Sequence, residues 1–324
     1  MQKLDVITVG EAMVLFAAQQ PGPLDETTAF TRATAGAELN VATGLARLGL
    51  RTGYLSRVGN DSFGRFLVAA MVRDGIDHQH VAVDSEHPTG FMLKSRSTNG
   101  SDPQIEYFRR GSAASHMSIR ELDPQYLTSS RHVHLTGIYV GVSPSTRKLV
   151  LALAAQARAA GQTISFDPNL RPALWPSPEE MISCLNHLAS FCDWIFPGLA
   201  EGQLLTGRAS AEGVADFYLE RGAQCVVVKL GEQGAYYASA QGCGYVSAIA
   251  VSNVVDTVGA GDGFAVGVIS GLLEGLPIAA AVARGNAVGA RVVQFPGDCD
   301  GLPTHAELLE FQAAAALLAG AIKV

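Results

Sequence analysis

The stretch Asp256-Thr257-Val258-Gly259-Ala260-Gly261-Asp262-Gly263-Phe264-Ala265-Val266-Gly267 follows a strand-like run, Ala250–Val255, and opens an apolar segment long enough for a helix. With nothing bulky at Gly259, Ala260 and Gly261, main-chain N–H groups can face an anion at the helix start, where the helix dipole adds partial positive charge. Phosphate is the natural guest. A carboxylate at Asp262 would repel a resting phosphate, so its presence makes sense if it takes a proton from a hydroxyl that then attacks phosphorus. A tight strand-to-helix turn with Asp262 as a first-turn dipole partner explains the same residues, and the glycines alone do not choose. Rival phosphate motifs are missing: the chain has no Gly-x4-Gly-Lys-Ser/Thr and no His-Arg-Asp loop, and Phe264 takes the last glycine position of a dinucleotide fingerprint.

Outward from this segment, short β-branched runs alternate with helix-like stretches. Leu4–Val9 precedes a helix from about Glu38 to Leu48, and Gln162–Phe166 follows an Ala-rich helix, Arg147–Ala160. Further strands are expected at Trp194–Phe196 and Cys225–Lys229, and long helices at about 260–274 and 277–293. This rhythm predicts an α/β fold with a central, mostly parallel sheet flanked by helices. Two segments break it, about 12–33 and 87–113, which read as strand and loop with no amphipathic helix between. In the second, Thr89–Arg96 and Gln104–Arg109 flank the turn cluster Asn99-Gly100-Ser101-Asp102-Pro103, a hairpin pattern. No linker or repeat divides the chain, so residues 1–324 read as one α/β domain with a small β lid.

Of 324 residues, 48% are hydrophobic and 16% charged, with a net charge of −7, which excludes a disordered chain and supports a large core. No apolar run reaches the roughly 18–20 residues of a membrane-spanning helix. The start, with Asp5 inside its apolar run and no small-residue cleavage site, reads as a first strand, and the cytoplasm is the expected location. Neither nucleic acid nor an anionic membrane is expected as a partner, because no Lys/Arg cluster with interleaved aromatics is present. Five widely spaced cysteines, Cys184, Cys192, Cys225, Cys243 and Cys299, form no Cys-x-x-Cys pair and read as buried thiols. His78/His80 and His132/His134 would each share one face of a strand; they read as core or hydrogen-bonded histidines ahead of a metal site.

A second glycine motif, Ala35-Gly36-Ala37-Glu38-Leu39-Asn40-Val41-Ala42, runs into the first helix. Gly36 would let a polyhydroxy ligand touch main chain, and Asn40 can both donate to and accept from one of its hydroxyls; an ordinary loop with an Asn cap is the alternative. With both motifs in view, the sequence resembles the ribokinase-like, PfkB-type family of carbohydrate kinases nearly end to end. Residues Asp256 to Ile269 fit that family's carboxyl-terminal signature at every defined position, whereas the amino-terminal one departs at Ala35, where a second Gly is common. The resemblance implies a large sheet flanked by helices, a small β lid over the sugar, ATP with Mg²⁺ as the phosphoryl donor, and Asp262 as the base.

Three further stretches resemble the branch of that family acting on 2-keto-3-deoxygluconate: Ile105–Ala113, Phe166–Trp175 and Gly297-Asp298. Tyr107 and Arg109, two apart, would face the same side of a lid strand, and Arg171 leaves the end of a parallel strand, where ligands gather. Two arginines suit an acid sugar; a solvated lid face and an Arg171–Asp167 pair are the competing account. On the nucleotide side, the resemblance places Lys229, Gly231, Glu232 and Gly234 beside the phosphates and Asn286 near the adenine. Of the family's Asn-x-x-Glu motif only Glu201 remains, as an indirect metal partner, with Gly198 in the Asn position. The expected reaction is phosphorylation of the terminal hydroxyl of the keto-deoxy acid. Rivals are the same chemistry on fructose or 5-keto-2-deoxygluconate, a sugar-binding regulator without catalysis, and a dehydrogenase. A homo-oligomer through the lid is the protein partner left open.

Overall fold

The computed structural model describes residues 3–96 and 103–321, the side chains of 318–321 excepted. Thirteen strands occur among them: β1 (Leu4–Val9), β2 (Met13–Pro21), β3 (Phe30–Ala35), β4 (Thr52–Gly59), β5 (Val81–Asp84), β6 (Phe91–Arg96), β7 (Ile105–Phe108), β8 (Ser130–Thr136), β9 (Thr163–Asp167), β10 (Trp194–Ile195), β11 (Cys225–Lys229), β12 (Ala235–Ser239) and β13 (Gly242–Val246). Nine form a large sheet in the order β13-β12-β11-β10-β9-β8-β1-β4-β5. Pairing is parallel from β5 through to β11, and β12 and β13 close one edge antiparallel.

Strands buried on both faces need apolar residues at consecutive positions, and β11 shows how they are shared. Val226 and Val228 enter a core with the helices Pro144–Ala159, Pro178–Ala189 and Ala211–Leu219, while Cys225 and Val227 enter a second core with the helices Ala37–Arg47, Ala260–Leu273 and Ile278–Val292. The Ala-rich helix starts before Arg147 because Ser143 caps it and Pro144 takes its first turn, where the missing N–H costs nothing.

The segments 12–33 and 87–113 supply the second, smaller sheet, in the order β3-β2-β6-β7, with β2/β3 and β6/β7 antiparallel and β2/β6 parallel. β6 begins two residues later than the sequence suggests, because Thr89 is held by Asp61 and its hydroxyl accepts from the Gly59 N–H. The turn residues Asn99–Asp102 lie outside the described residues. Ala35 ends β3 fully buried among Met13, Leu15 and Met92, so its methyl fills core where a second glycine would leave a gap.

Several expectations are corrected. Ala250–Val255 is no strand: among the described residues its one main-chain N–H bonded elsewhere in the fold is that of Val255, to the Val293 carbonyl, and Val251 and Val254 wall a cavity instead. Ser252 and Asn253 interrupt the apolar pattern there. His78 and His80 sit in the turn before β5, closed by the Val81 N–H on the His78 carbonyl, and do not share a strand face. His132 and His134 do lie buried on β8, bonded to Thr163 and Ser165, with burial pushing both below the ordinary histidine range. Cys243 is exposed, since it stands on the solvent-facing edge strand β13.

Candidate active site

The helix Ala260–Leu273 starts from Gly259, whose φ of 83° is left-handed; a Cβ there would stand 2.6 Å from the Asp298 carbonyl oxygen. The Gly263 N–H closes the first turn on the Gly259 carbonyl at 2.8 Å. The amides of Gly261 and Asp262 have no protein partner among the described residues, which leaves two donors aimed off a helix amino terminus.

Asp262 stands in this first turn, buried. Its Oδ2 accepts from Asn40 Nδ2 at 2.7 Å and its Oδ1 from Asn169 Nδ2 at 3.4 Å. Burial raises its pKa to about 7; Asp167 and Asp298 push the same way, while the Asn40 bond and the Lys229 charge oppose them. The Asn40 amide is itself oriented, because its Oδ1 accepts the Cys299 thiol at 2.9 Å and burial keeps that thiol protonated. Asn40 reaches Asp262 because its helix begins at Gly36, where φ is 120° and a Cβ would meet the Glu11 carbonyl oxygen at 2.3 Å.

Two cavities meet at this helix start. One, of about 360 Å³, lies under the small sheet and is lined by Gly36, Asn40, Tyr107, Arg109, Arg171, Gly259, Gly261, Asp262, Asp298 and Lys229. The other, of about 590 Å³, is lined by Lys229, Gly231, Glu232, Gly234, Ala260, Gly261 and Asn286 together with aliphatic residues. Of the candidates drawn from the sequence, Glu201 alone lines neither. Its carboxylate accepts the N–H groups of Gly198 and Leu170, both at 2.7 Å, and so caps the helix Leu199–Thr206.

Several charges of the first cavity are paired. Arg109 bonds the buried Glu11 through Nε at 2.7 Å and Nη2 at 2.6 Å, and Glu11 also accepts from Ser112. Lys229 holds Asp167 at 2.6 Å, so Asp167 is not Arg171's partner; Arg171 is exposed and donates to the Leu170 carbonyl. Burial nonetheless raises the Asp167 pKa, Lys229 lowers it and Glu201 adds to the rise. Asp298 is bound by Lys94 at 2.7 Å. Asn286 donates to the carbonyls of Val246 and Ser247 and thereby fixes one wall of the second cavity.

Glu11, Lys94 and Glu38 were not found from the sequence. Glu38 is fully buried, accepts from Thr136 and is raised to about 7 by burial. Asn169, inside the quoted Phe166–Trp175 stretch, has φ 39°, the one positive value outside glycine among the described residues, a conformation Asn tolerates better than most. Its signal was the Asp-Pro-Asn run at the end of a strand.

Among the described residues no three His, Cys, Asp or Glu side chains gather as a metal cage. Mg²⁺ does not need one: it keeps several waters and takes one or two carboxylates plus phosphate oxygens. Asp167 is already held by Lys229 and Glu201 by two backbone amides, so these carboxylates suit contact with Mg²⁺ through its waters.

The sequence matches the pfkB family of carbohydrate kinases over residues 3–305. The chain belongs to that family. It is a kinase, and its ribokinase-like fold is the one the sequence motifs implied. A 2-dehydro-3-deoxygluconokinase from Bacillus subtilis (strain 168) is 49% identical over 96% of this chain and 96% of its own length. A 5-dehydro-2-deoxygluconokinase from Geobacillus kaustophilus (strain HTA426) is 32% identical over 95% and 93%. Among solved structures, a PfkB protein from Polaromonas sp. JS666 superposes with a TM-score of 0.88 at 52% identity, covering 94% of this kinase and 99% of that chain. A putative ribokinase II from E. coli, in complex with ATP and Mg²⁺, gives 0.89 at 29% identity, covering 96% and 99%. No helix among the described residues is long and apolar enough to cross a membrane.

Proposed function

We propose that this kinase transfers the γ-phosphoryl group of ATP to the terminal primary hydroxyl of 2-keto-3-deoxygluconate. The observation that carries the reading is the place of Asp262: a buried carboxylate lining the first cavity next to Gly261, which lines both, with the amides of Gly261 and Asp262 unpartnered among the described residues. The Asp262 carboxylate accepts the hydroxyl proton as the oxygen attacks. The two amides donate to the transferred group where its charge develops. Asn40 holds Asp262 and touches the sugar beside Gly36, and Tyr107, Arg109, Arg171 and Asp298 shape the acid subsite. Lys229, Gly231, Glu232 and Gly234 face the phosphates, with Asn286 near the adenine. Glu201 and Asp167 would hold Mg²⁺ indirectly, through its waters, and the ion would supply positive charge for the phosphates.

The 49% identity to the Bacillus subtilis enzyme and the two arginines at one cavity support an acid acceptor. Residues 1–324 work as one α/β domain in the cytoplasm, the small sheet acting as a lid that excludes water from the transfer. A second copy would pair through the lid, where the Phe108 ring, stacked on Phe91, is exposed; light scattering after gel filtration reads this directly. A coupled ADP-release screen over about twenty sugars and sugar acids tests the substrate. Preference for fructose, ribose or 5-keto-2-deoxygluconate over the keto-deoxy acid would overturn the assignment, and no turnover with any of them would leave a binding protein.

A further inference from the structure

Lys94 is the largest charged side chain lying wholly inside the molecule, and nothing in the reaction so far uses it. It points inward from β6, two residues beyond Met92 on the same face of the small sheet. Its ammonium lies 2.6 Å from Asp256 Oδ2 and 2.7 Å from Asp298 Oδ1, with all three side chains buried. Burial alone would lower the Lys94 pKa, but the two carboxylates outweigh it and raise it, so the group is a fixed cation.

What the two carboxylates hold gives the contact its meaning. Asp256 Oδ1 accepts the Val258 N–H at 2.9 Å and so shapes the turn before Gly259. The Asp298 main chain packs on Gly259 from the other side. The turn and the segment after the helix Ile278–Val292 therefore flank Gly259, from which the helix carrying the Gly261 and Asp262 amides starts, and one ammonium joins them. Uncompensated, the two carboxylates would repel each other and any phosphate nearby.

We infer that Lys94 is a positioning residue for phosphoryl transfer: by joining Asp256 to Asp298 it fixes the turn that aims the Gly261 and Asp262 amides. Because it stands on the small sheet, the amide pair is set only while that sheet covers the acceptor cavity. This rests on the kinase assignment of the same site.

The test is Lys94→Met in the full chain. It should lower kcat about 10²-fold while KM for sugar and for ATP stays within about threefold, the pattern of an interaction that matters in the transition state. Amide hydrogen exchange over 256–262 should quicken at least tenfold, and ammonium or methylammonium at about 0.1 M should restore kcat at least tenfold. Asp256→Asn leaves Lys94 one counter-charge and keeps an oxygen for Val258; it should lose kcat and speed exchange in the same way, and it decides the matter if the Lys94 variant does not fold. Normal kcat with unchanged exchange in either folded variant overturns the inference, as does a kcat loss with normal exchange and no response to amines. The exchange readout needs no acceptor, so a failed sugar assignment is distinguishable from a failed role for Lys94.

Discussion

The cavity proposed for the acceptor and the one proposed for the donor share the start of one helix, with Lys229 and Gly261 lining both, but differ in the rest of their walls. On the acceptor side, charged groups are locked in pairs, Arg109 with Glu11, Lys94 with Asp298 and Lys229 with Asp167. On the donor side, apart from Lys229 and Glu232, the walls are glycines, main-chain carbonyls bound by Asn286 and aliphatic residues such as Val251 and Val254. A paired charge presents a ligand with a direction at little reorganisation cost, whereas a backbone wall presents a shape. The acceptor side is therefore where single substitutions should hurt selectively, and the donor side where they should be mild.

The shared edge should show the largest effect. Asp262→Asn removes the proposed proton acceptor and should lower kcat by roughly 10² to 10⁴, while calorimetric ADP affinity stays near normal. The same variant carries a stability signature. Asp262 has a folded pKa of about 7 against an ordinary 3.8, so the native state binds the extra proton; its contribution to stability is full below the unfolded value and is lost as pH rises through 7. At pH 8 the Asn variant should melt above wild type, and a lower melting temperature would remove the buried-carboxylate account.

Next comes Arg109→Ala, which deprives an acid sugar of its guanidinium and leaves Glu11 buried with Ser112 alone. Activity on the keto-deoxy acid should fall by tens- to thousands-fold, the equivalent of about 2–5 kcal/mol for a buried charge partner, while weak activity on neutral hexoses barely changes. Equal loss on both classes would mean that Arg109 serves the fold through Glu11 and not the ligand. A smaller graded effect is expected in pH profiles. Since the carboxylate form is needed, kcat/KM should drop about tenfold per unit as pH falls below about 7, and a flat profile down to pH 5 would assign the proton elsewhere. The mildest change belongs to the donor side. Asn286→Ala frees the Val246 and Ser247 carbonyls and should raise KM for ATP by roughly 3- to 10-fold, about what one or two modest hydrogen bonds are worth, with sugar KM unaltered. A matching rise in sugar KM would show that the two cavities are not separable.

The same contrast governs what could be read from the residues beforehand. The turn at Gly259–Asp262 is local: glycines, a helix start and a carboxylate within four residues carry their own meaning. The alternation of strands and helices was legible for a like reason, since each element's pattern is internal to it. The pairs Lys94–Asp298, Glu11–Arg109 and Asn40–Cys299 join distant parts of the chain, and no spacing signals them. Ala250–Val255 reads as a strand because nothing local shows that Val251 and Val254 line a cavity and not a sheet. The sequence offers Glu201 as an indirect metal partner but does not reveal the two backbone amides that its carboxylate holds.

The interior place of β1 in the large sheet has a consequence for how the protein is made. Leu4–Val9 lies between β4 and β8, and its second edge stays open until Ser130–Thr136 leaves the ribosome. At translation rates of about 5–20 residues per second, that interval is on the order of 10 s. Throughout it, a strand reading Leu-Asp-Val-Ile-Thr-Val keeps one edge of its backbone unpaired, waiting for a partner that is made long after it.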